Sequence, residues 1–216
     1  MRLYVTGTVI AALLVLAVTY FLPHPAPDGW SFLSLVFVGC LLEASRTQNK
    51  SGGLTGSLVF VFHLAVGLVL GGFWGAVTAA LAKLVSQILD RNPAIKVSFN
   101  VAERIVSVGL TFVVYSLLGG KHPPEFLQPQ LSGQVAFDVA LRDVGVFLAS
   151  AVVYFIVNSV VVNTVVALSS QRPIWSTWRA NTVWVLGYDI VASSLALVVA
   201  WLFLWSNQSQ GMGRFA

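Results

Sequence analysis

Apolar runs of about twenty residues recur along this chain, and almost no charge interrupts them. The first, "LYVTGTVIAALLVLAVTYFL" (residues 3–22), contains none at all. A segment of this kind cannot turn one face to water, because it has no polar face. About 20 mostly apolar residues in a helix match the hydrocarbon thickness of a bilayer. Charged residues make up 9% of the chain and hydrophobic ones 57%, against about 25% charged in a soluble domain. The sequence therefore predicts an all-α, polytopic membrane bundle.

Seven apolar segments can be drawn, at about 3–22, 30–44, 57–71, 73–89, 99–118, 143–168 and 182–205. They form one membrane domain over 1–216. Breakers separate them. "PHPAPDG" (23–29) ends the first, "RNP" (91–93) the fourth and "SSQRP" (169–173) the sixth, since proline has no N–H to donate and clashes with the preceding turn. The third and fourth segments meet at "GGFWG" (71–75), and "GGKHPPEFLQPQLSG" (119–133) leaves room for a short surface helix. The first segment is longer than a signal-peptide core, and no A-x-A cleavage site follows it, so it reads as a retained helix.

Loop charges predict the orientation. With the N-terminus in the cytoplasm, Arg2, Arg46, Lys50, Arg91, Lys96, Arg172 and Arg179 fall inside, and Lys121, Arg142 and Arg214 outside. Seven against three is a positive-inside bias. Trp30, Trp74, Trp201 and Trp205 then mark the outer interface, and Trp175, Trp178 and Trp184 the inner one. Seven spans leave the C-terminus outside, and with the abrupt tail "SNQSQGMGRFA" two readings stay open, a natural end or a fragment that has lost a later span. The expected location is the inner cell membrane, multi-pass.

The net charge of +4 comes from scattered residues, with no basic stripe for nucleic acid. The single cysteine, Cys40, allows no internal disulfide and reads as apolar filler. There is no phosphate-binding loop and no HExxH. The three histidines, His24, His63 and His122, lack ligand spacing. No cofactor or metal and no enzymatic activity are expected.

Polar residues inside the spans are costly and mark function by default. At about 1.5 Å of rise per residue, His63, Lys83, Asn158, Asn163 and Asp189 all fall in the cytoplasmic half, with Glu43 at its edge. Asn100, Glu103 and Arg104 open the fifth segment at the same level. Asn100 and Arg104 share a helix face; Glu103 is placed near the positive helix start; Arg104 is placed to snorkel to the headgroups. One reading makes this layer a ligand- or proton-accessible site lined by His63, Lys83, Asn100, Glu103, Asn158 and Asp189. The plainer reading makes Lys83 and Asp189 an ion pair between the fourth and seventh segments, His63 a packed neutral ring, and Asn158, Asn163, Ser86 and Ser107 interhelical glue. Gly67 and Gly71, spaced as in GxxxG, read as close helix packing.

The polar positions also follow an order. "FN-x-A-E-x-x-x-S-x-G" is carried by Phe99, Asn100, Ala102, Glu103, Ser107 and Gly109, and that segment ends at Gly119 and Gly120. Later come Tyr154, Phe155, Val157 and Asn158, then Arg172, Pro173 and Trp175, then Trp178, Arg179 and Asn181. From about residue 54 onward this resembles the multi-span N-terminal membrane region of bacterial signalling proteins with cytoplasmic HD-GYP, GGDEF or kinase domains. The resemblance implies a sensory or input module. In that family one more span leads to an output domain, whereas this chain stops at "GMGRFA". The implied partners are the bilayer, a cytoplasmic output domain or another membrane protein, and a second copy of the chain, with no nucleic acid. Two other readings fit the bare residues. One is a capture or transport subunit that needs an energising partner, favoured by glycine-rich breaks and a weak repeat ("FNVAERIVSVGL" against "VNSVVVNTVVAL"). The other is a structural subunit of a membrane complex.

Overall fold

The computed structural model describes residues 1–48, 59–128, 131 and 133–209. The described chain is helical: α1 (Arg2–Phe21), α2 (Gly29–Gln48), α3 (Val59–Leu89), α4 (Ala94–Leu117), a short 3-10 turn at Glu125–Leu127, α5 (Phe137–Ser170), α6 (Ile174–Ser193) and α7 (Leu195–Ser209). Among the described residues, five stretches are long and apolar enough to cross a membrane: Arg2–Phe21, Val59–Leu89, Ala94–Leu117, Phe137–Ser170 and Gly187–Ser206. A shorter apolar stretch covers Gly29–Ser45. Large apolar side chains stand exposed around the outside, among them Leu13, Phe37, Ile156, Val191 and Leu202.

The helices end where local chemistry stops them. Asp28 caps α2, its carboxylate accepting the N–H groups of Trp30 (3.0 Å) and Ser31 (2.9 Å), which satisfies donors that a helix start leaves open. Helices α3, α4 and α5 close in one way. A left-handed residue (Arg91, Gly119 or Gln171) is followed by an N–H that reaches back five residues, Asn92 to Gln87, Gly120 to Tyr115 and Arg172 to Ala167. That is the Schellman closure, and only one of the three uses glycine.

Helix α3 is two arms. At Gly71 the backbone has φ 83° and ψ 168°, a region only glycine occupies without strain. The arms, 59–70 and 72–89, then run back along each other. A Cβ on Gly75 would lie 2.7 Å from the Gly67 Cα. A Cβ on Gly39 would touch both Phe62 (3.3 Å) and Ala82 (3.1 Å), residues about 30 Å apart in an unbroken helix. The expected division of 57–71 from 73–89 is thus present, with its pivot at Gly71. Gly67 serves close packing as expected, leaving room for the Phe112 ring and the returning arm. Both arms lie at the centre of the bundle: α2, α4 and α7 pack on them, α1 and α5 pack on α4, and α6 packs on α5.

Three expected boundaries need correction. Helix α4 starts at Ala94, five residues before 99, because Pro93 sits at its first turn and its carbonyl accepts the N–H of Val97. Helix α5 starts at Phe137, and its first turns carry Asp138, Arg142 and Asp143. Within the segment at 182–205 the helical ladder is interrupted at Ser194, whose backbone stays helical (φ −61°, ψ −26°), and Gly187–Ser206 remains one apolar stretch. Ser193 and Ser194 turn their hydroxyls onto the carbonyls of Ile190 and Val191 at 2.6 Å, which competes with the ladder there. Helix α6 begins at Ile174, well before 182.

One end of the bundle holds the starts of α1, α4 and α6 and the ends of α2, α3 and α5, with Arg2, Arg91, Lys96, Arg172 and Arg179 around it. The other holds Gly71, His24 and the turn after α4. The two expected tryptophan groups mark opposite ends: Trp74 packs on His24 and Phe32, while Trp175 and Trp178 stack at the start of α6. Lys50, Arg214, the start of the third segment at 57–58 and the "GMGRFA" tail lie outside the described residues. For Arg46, Asn181 and Trp184 only the backbone is described.

Two predictions follow from this packing. Gly71→Ala forces an alanine into φ 83° and brings its Cβ within 2.7 Å of the His24 Cβ. It should lower unfolding free energy by about 2 kcal/mol, and Gly75→Ala by a similar amount. Gly7→Ala, whose Cβ meets nothing within 4 Å, should be neutral or stabilising; thermal melts followed by circular dichroism compare the three. The second prediction concerns His122. It lies in the turn after α4, where its Nδ1–H faces the Leu68 carbonyl at 3.4 Å and its ring packs on Phe112 and Tyr115. Burial pushes its imidazole down to about 4. The unfolded chain therefore binds the proton first, and this contribution is lost as pH falls from about 6.5 to about 4, on the order of 3 kcal/mol. His122→Phe should flatten that window relative to the parent in denaturation titrations.

Candidate functional site

Four ionised side chains from three helices meet inside the bundle, and a fourth helix reaches them. Glu43 on α2 has 0% exposure. Its Oε2 accepts the Lys83 ammonium of α3 at 2.9 Å, and its Oε1 lies 3.9 Å from the Arg104 Nε of α4. Arg104 also stands 3.6 Å from Glu103, and its guanidinium donates to the Tyr154 hydroxyl of α5. Glu103 accepts the Ser107 hydroxyl at 2.9 Å. Two acids face two bases, so the cluster is neutral overall. That balance matters, because a lone buried charge is unfavourable by several kcal/mol.

His63, from the other arm of α3, completes the group. It is wholly buried and close enough to feel Arg104, Glu43 and Lys83. Neither ring nitrogen has a hydrogen-bond partner among the described residues, and the same holds for Glu43 Oε1 and Arg104 Nε. Buried polar atoms are nearly always satisfied. Four such atoms near one ion pair make a place where a proton, a water or a small polar ligand would find donors and acceptors already arranged.

The fold-back at Gly71 makes this possible. Lys83 and His63 lie on one element, yet a straight helix would hold them about 30 Å apart. With the arms side by side, both face the same cluster. One step nearer the basic end, the Asn100 amide donates to the Gln87 Oε1 at 2.6 Å. This bond joins α4 to α3 between the cluster and the bundle end.

Of the six residues proposed from sequence, the structure brings together His63, Lys83 and Glu103, with Asn100 on the adjoining layer. It does not bring in Asn158 or Asp189. Asn158 is partly exposed on α5 and has no hydrogen-bond partner among the described residues. Asp189 is partly exposed on α6, which packs on α5 and touches α3 little. The Lys83–Asp189 ion pair is therefore replaced by Lys83–Glu43. Arg104 does not snorkel outward; it is 8% exposed and turned inward. Glu103 does not sit at a helix start, because α4 begins nine residues earlier. Glu43 and Tyr154 were outside the proposed set. Glu43 had a usable signal: a carboxylate in an apolar run needs a cation, and α2 continues to Gln48, which draws Glu43 inside.

The interhelical-glue reading holds for Asn163. Its amide donates to the Ser159 carbonyl (2.8 Å) and the Thr182 hydroxyl (3.0 Å), tying α5 to α6. No cluster of three or more His, Cys, Asp or Glu side chains suited to a metal occurs among the described residues. Comparison with protein-family models, with curated proteins and with solved structures finds no match for this chain.

Removing one member should show how the cluster is coupled. Glu43→Gln leaves Lys83 and Arg104 facing each other without their shared carboxylate and should destabilise by about 3–5 kcal/mol. Lys83→Met should also destabilise. The double variant should lose at least about 1 kcal/mol less than the sum of the two. Chemical denaturation of the four chains supplies the cycle.

Proposed function

We propose that this chain is an integral membrane sensory module whose switch is the buried cluster of Glu43, Lys83, Glu103, Arg104 and His63. The carrying observation is that charges from α2, the second arm of α3 and α4, with His63 of the first arm and Tyr154 of α5, meet around unsatisfied polar atoms in an otherwise apolar bundle. The resemblance of the Asn100–Gly109 and Tyr154–Asn181 motifs to the membrane input regions of bacterial signalling proteins supports the same reading. The apolar helices and their exposed apolar surface support membrane insertion. The basic residues at the α1-start end support a cytoplasmic placement of that end.

The mechanism follows from charge balance. Adding a proton or a charged ligand to a neutral buried cluster changes which pairs are satisfied. The packing of α2 against α3 and of α4 against α5 depends on those pairs. A ligand shifts such an equilibrium only by its differential affinity for the two packings, and a cluster shared by several helices supplies that difference.

Cys40 lies one helical turn before Glu43 on α2 and is the chain's only cysteine, so it can carry a single fluorine label. Protons serve as the probe. In nanodiscs, lowering pH from 8 to 5 should shift the balance of label signals, and His63→Leu and Glu43→Gln should each abolish the shift in a folded chain. A parent chain with no shift, or variants that respond like the parent, would sink the proposal.

A further inference from the structure

A second site lies away from the charge cluster, on the outer face between α5 and α6. A groove of about 440 Å³ opens there, walled by Ile156, Val160, Ile174, Trp175 and Trp178. Its volume falls in the range of small-ligand pockets. Four polar side chains also line it, but they are engaged: Asn163 donates to Thr182, the Ser159 and Thr182 hydroxyls lie 2.9 Å apart, and Thr164 hydrogen-bonds the Tyr4 hydroxyl. The groove therefore offers an occupant apolar surface rather than a free hydrogen-bonding group.

Its surroundings are graded along the helix axis. Ile156 and Val160, deep in the groove wall, are more than half exposed. Towards the bundle end stand the stacked rings of Trp175 and Trp178, with centroids 5.1 Å apart. Beyond them, at the end itself, comes Arg172, two residues before Ile174, while Arg179 lies one turn inward of Trp175 on the same helix face, with a stem long enough to turn its guanidinium back towards that end. Both arginines are exposed and neither has an ion-pair partner among the described residues. The other charged side chains described around this end are Arg2, Arg91, Lys96 and a single acid, Asp90. An apolar slot, an aromatic pair and two unpaired guanidinium groups beside it match an acyl chain, its glycerol region and an anionic phosphate.

We infer that the α5–α6 groove holds one anionic phospholipid, its acyl chain along Ile156 and Val160 and its headgroup between Arg172 and Arg179. This rests on the proposed membrane placement but not on the sensory role. Anionic headgroups gather on basic juxtamembrane residues, and each Arg or Lys near the surface adds attraction. The groove adds what a diffuse basic rim lacks, a fixed seat for one chain.

Native mass spectrometry of the detergent-purified chain tests this, with phosphatidylglycerol titrated against phosphatidylcholine of the same acyl chains. One phosphatidylglycerol should be retained in preference, by on the order of tenfold. The double variant R172Q/R179Q, which alters only exposed side chains, should lose the preference and keep acyl-chain binding. Val160→Trp, or Ile156→Trp if the first fails to fold, should fill the groove and lose both lipids. Equal retention of the two lipids by the parent chain would overturn the inference, as would a preference unmoved by both kinds of variant. Displacement of the lipid by excess inorganic phosphate would also overturn it, by showing a site for the anion alone. Fractionation of the same expression cultures tests the membrane placement separately: a chain found in the aqueous fraction without detergent would overturn that placement and this site with it.

Discussion

A carboxylate with no exposure to solvent governs this bundle. Glu43 can remain ionised in an apolar interior only if cations are delivered to it, and the structure delivers two, Lys83 at 2.9 Å and Arg104 at 3.9 Å. Each comes from a different helix. The helices are thereby held in one rotation and one register, since a residue's slip on any of them would strand a buried charge. Apolar packing alone is weakly selective in lipid, where leucine meets leucine or an acyl chain with similar favour. For a bundle placed in lipid, as proposed, the ion cluster would supply the selectivity that the hydrophobic effect supplies in water.

The fold-back at Gly71 and the cluster are one design. The two arms of α3 run close because Gly67, Gly72 and Gly75 leave space for the Phe112 ring and for the facing backbone. That closeness places His63 and Lys83 of a single element on the same buried group. It also removes polar partners from His63, whose ring is enclosed by packed side chains. A fold that encloses an ionisable ring without a partner stores a response to whatever can supply one. For that reason the proposed switch is assigned to the cluster and not to the apolar groove between α5 and α6.

Much of this was legible in the order of residues. Proline and glycine breakers marked the helix ends, and the double glycine at 71–72 marked the pivot. The gathering of polar residues at one depth followed from counting along each segment. Other features depended on signals that are weaker in a sequence. The Ser193–Ser194 interruption rests on two hydroxyls bonding back to the helix, a pattern that exposed serines share. The closures at Arg91 and Gln171 use residues with no strong preference for the left-handed conformation.

The sequence by itself determined that the chain is helical, that several of its helices are long and apolar enough to cross a membrane, and that polar residues within those apolar segments gather towards one end. It could not determine which of them meet. Helical periodicity relates residues within one helix, whereas an ion pair between helices depends on which elements are neighbours and how each is rotated. Lys83 was as free to meet Asp189 as Glu43 until the packing put α2 beside the second arm of α3 and α6 beside α5. Arg104 could reach for the headgroups or the interior until Glu43, Glu103 and Tyr154 were all found on its inner side. Tertiary structure made those choices because charge balance in a low-dielectric interior is satisfied between helices, not along them.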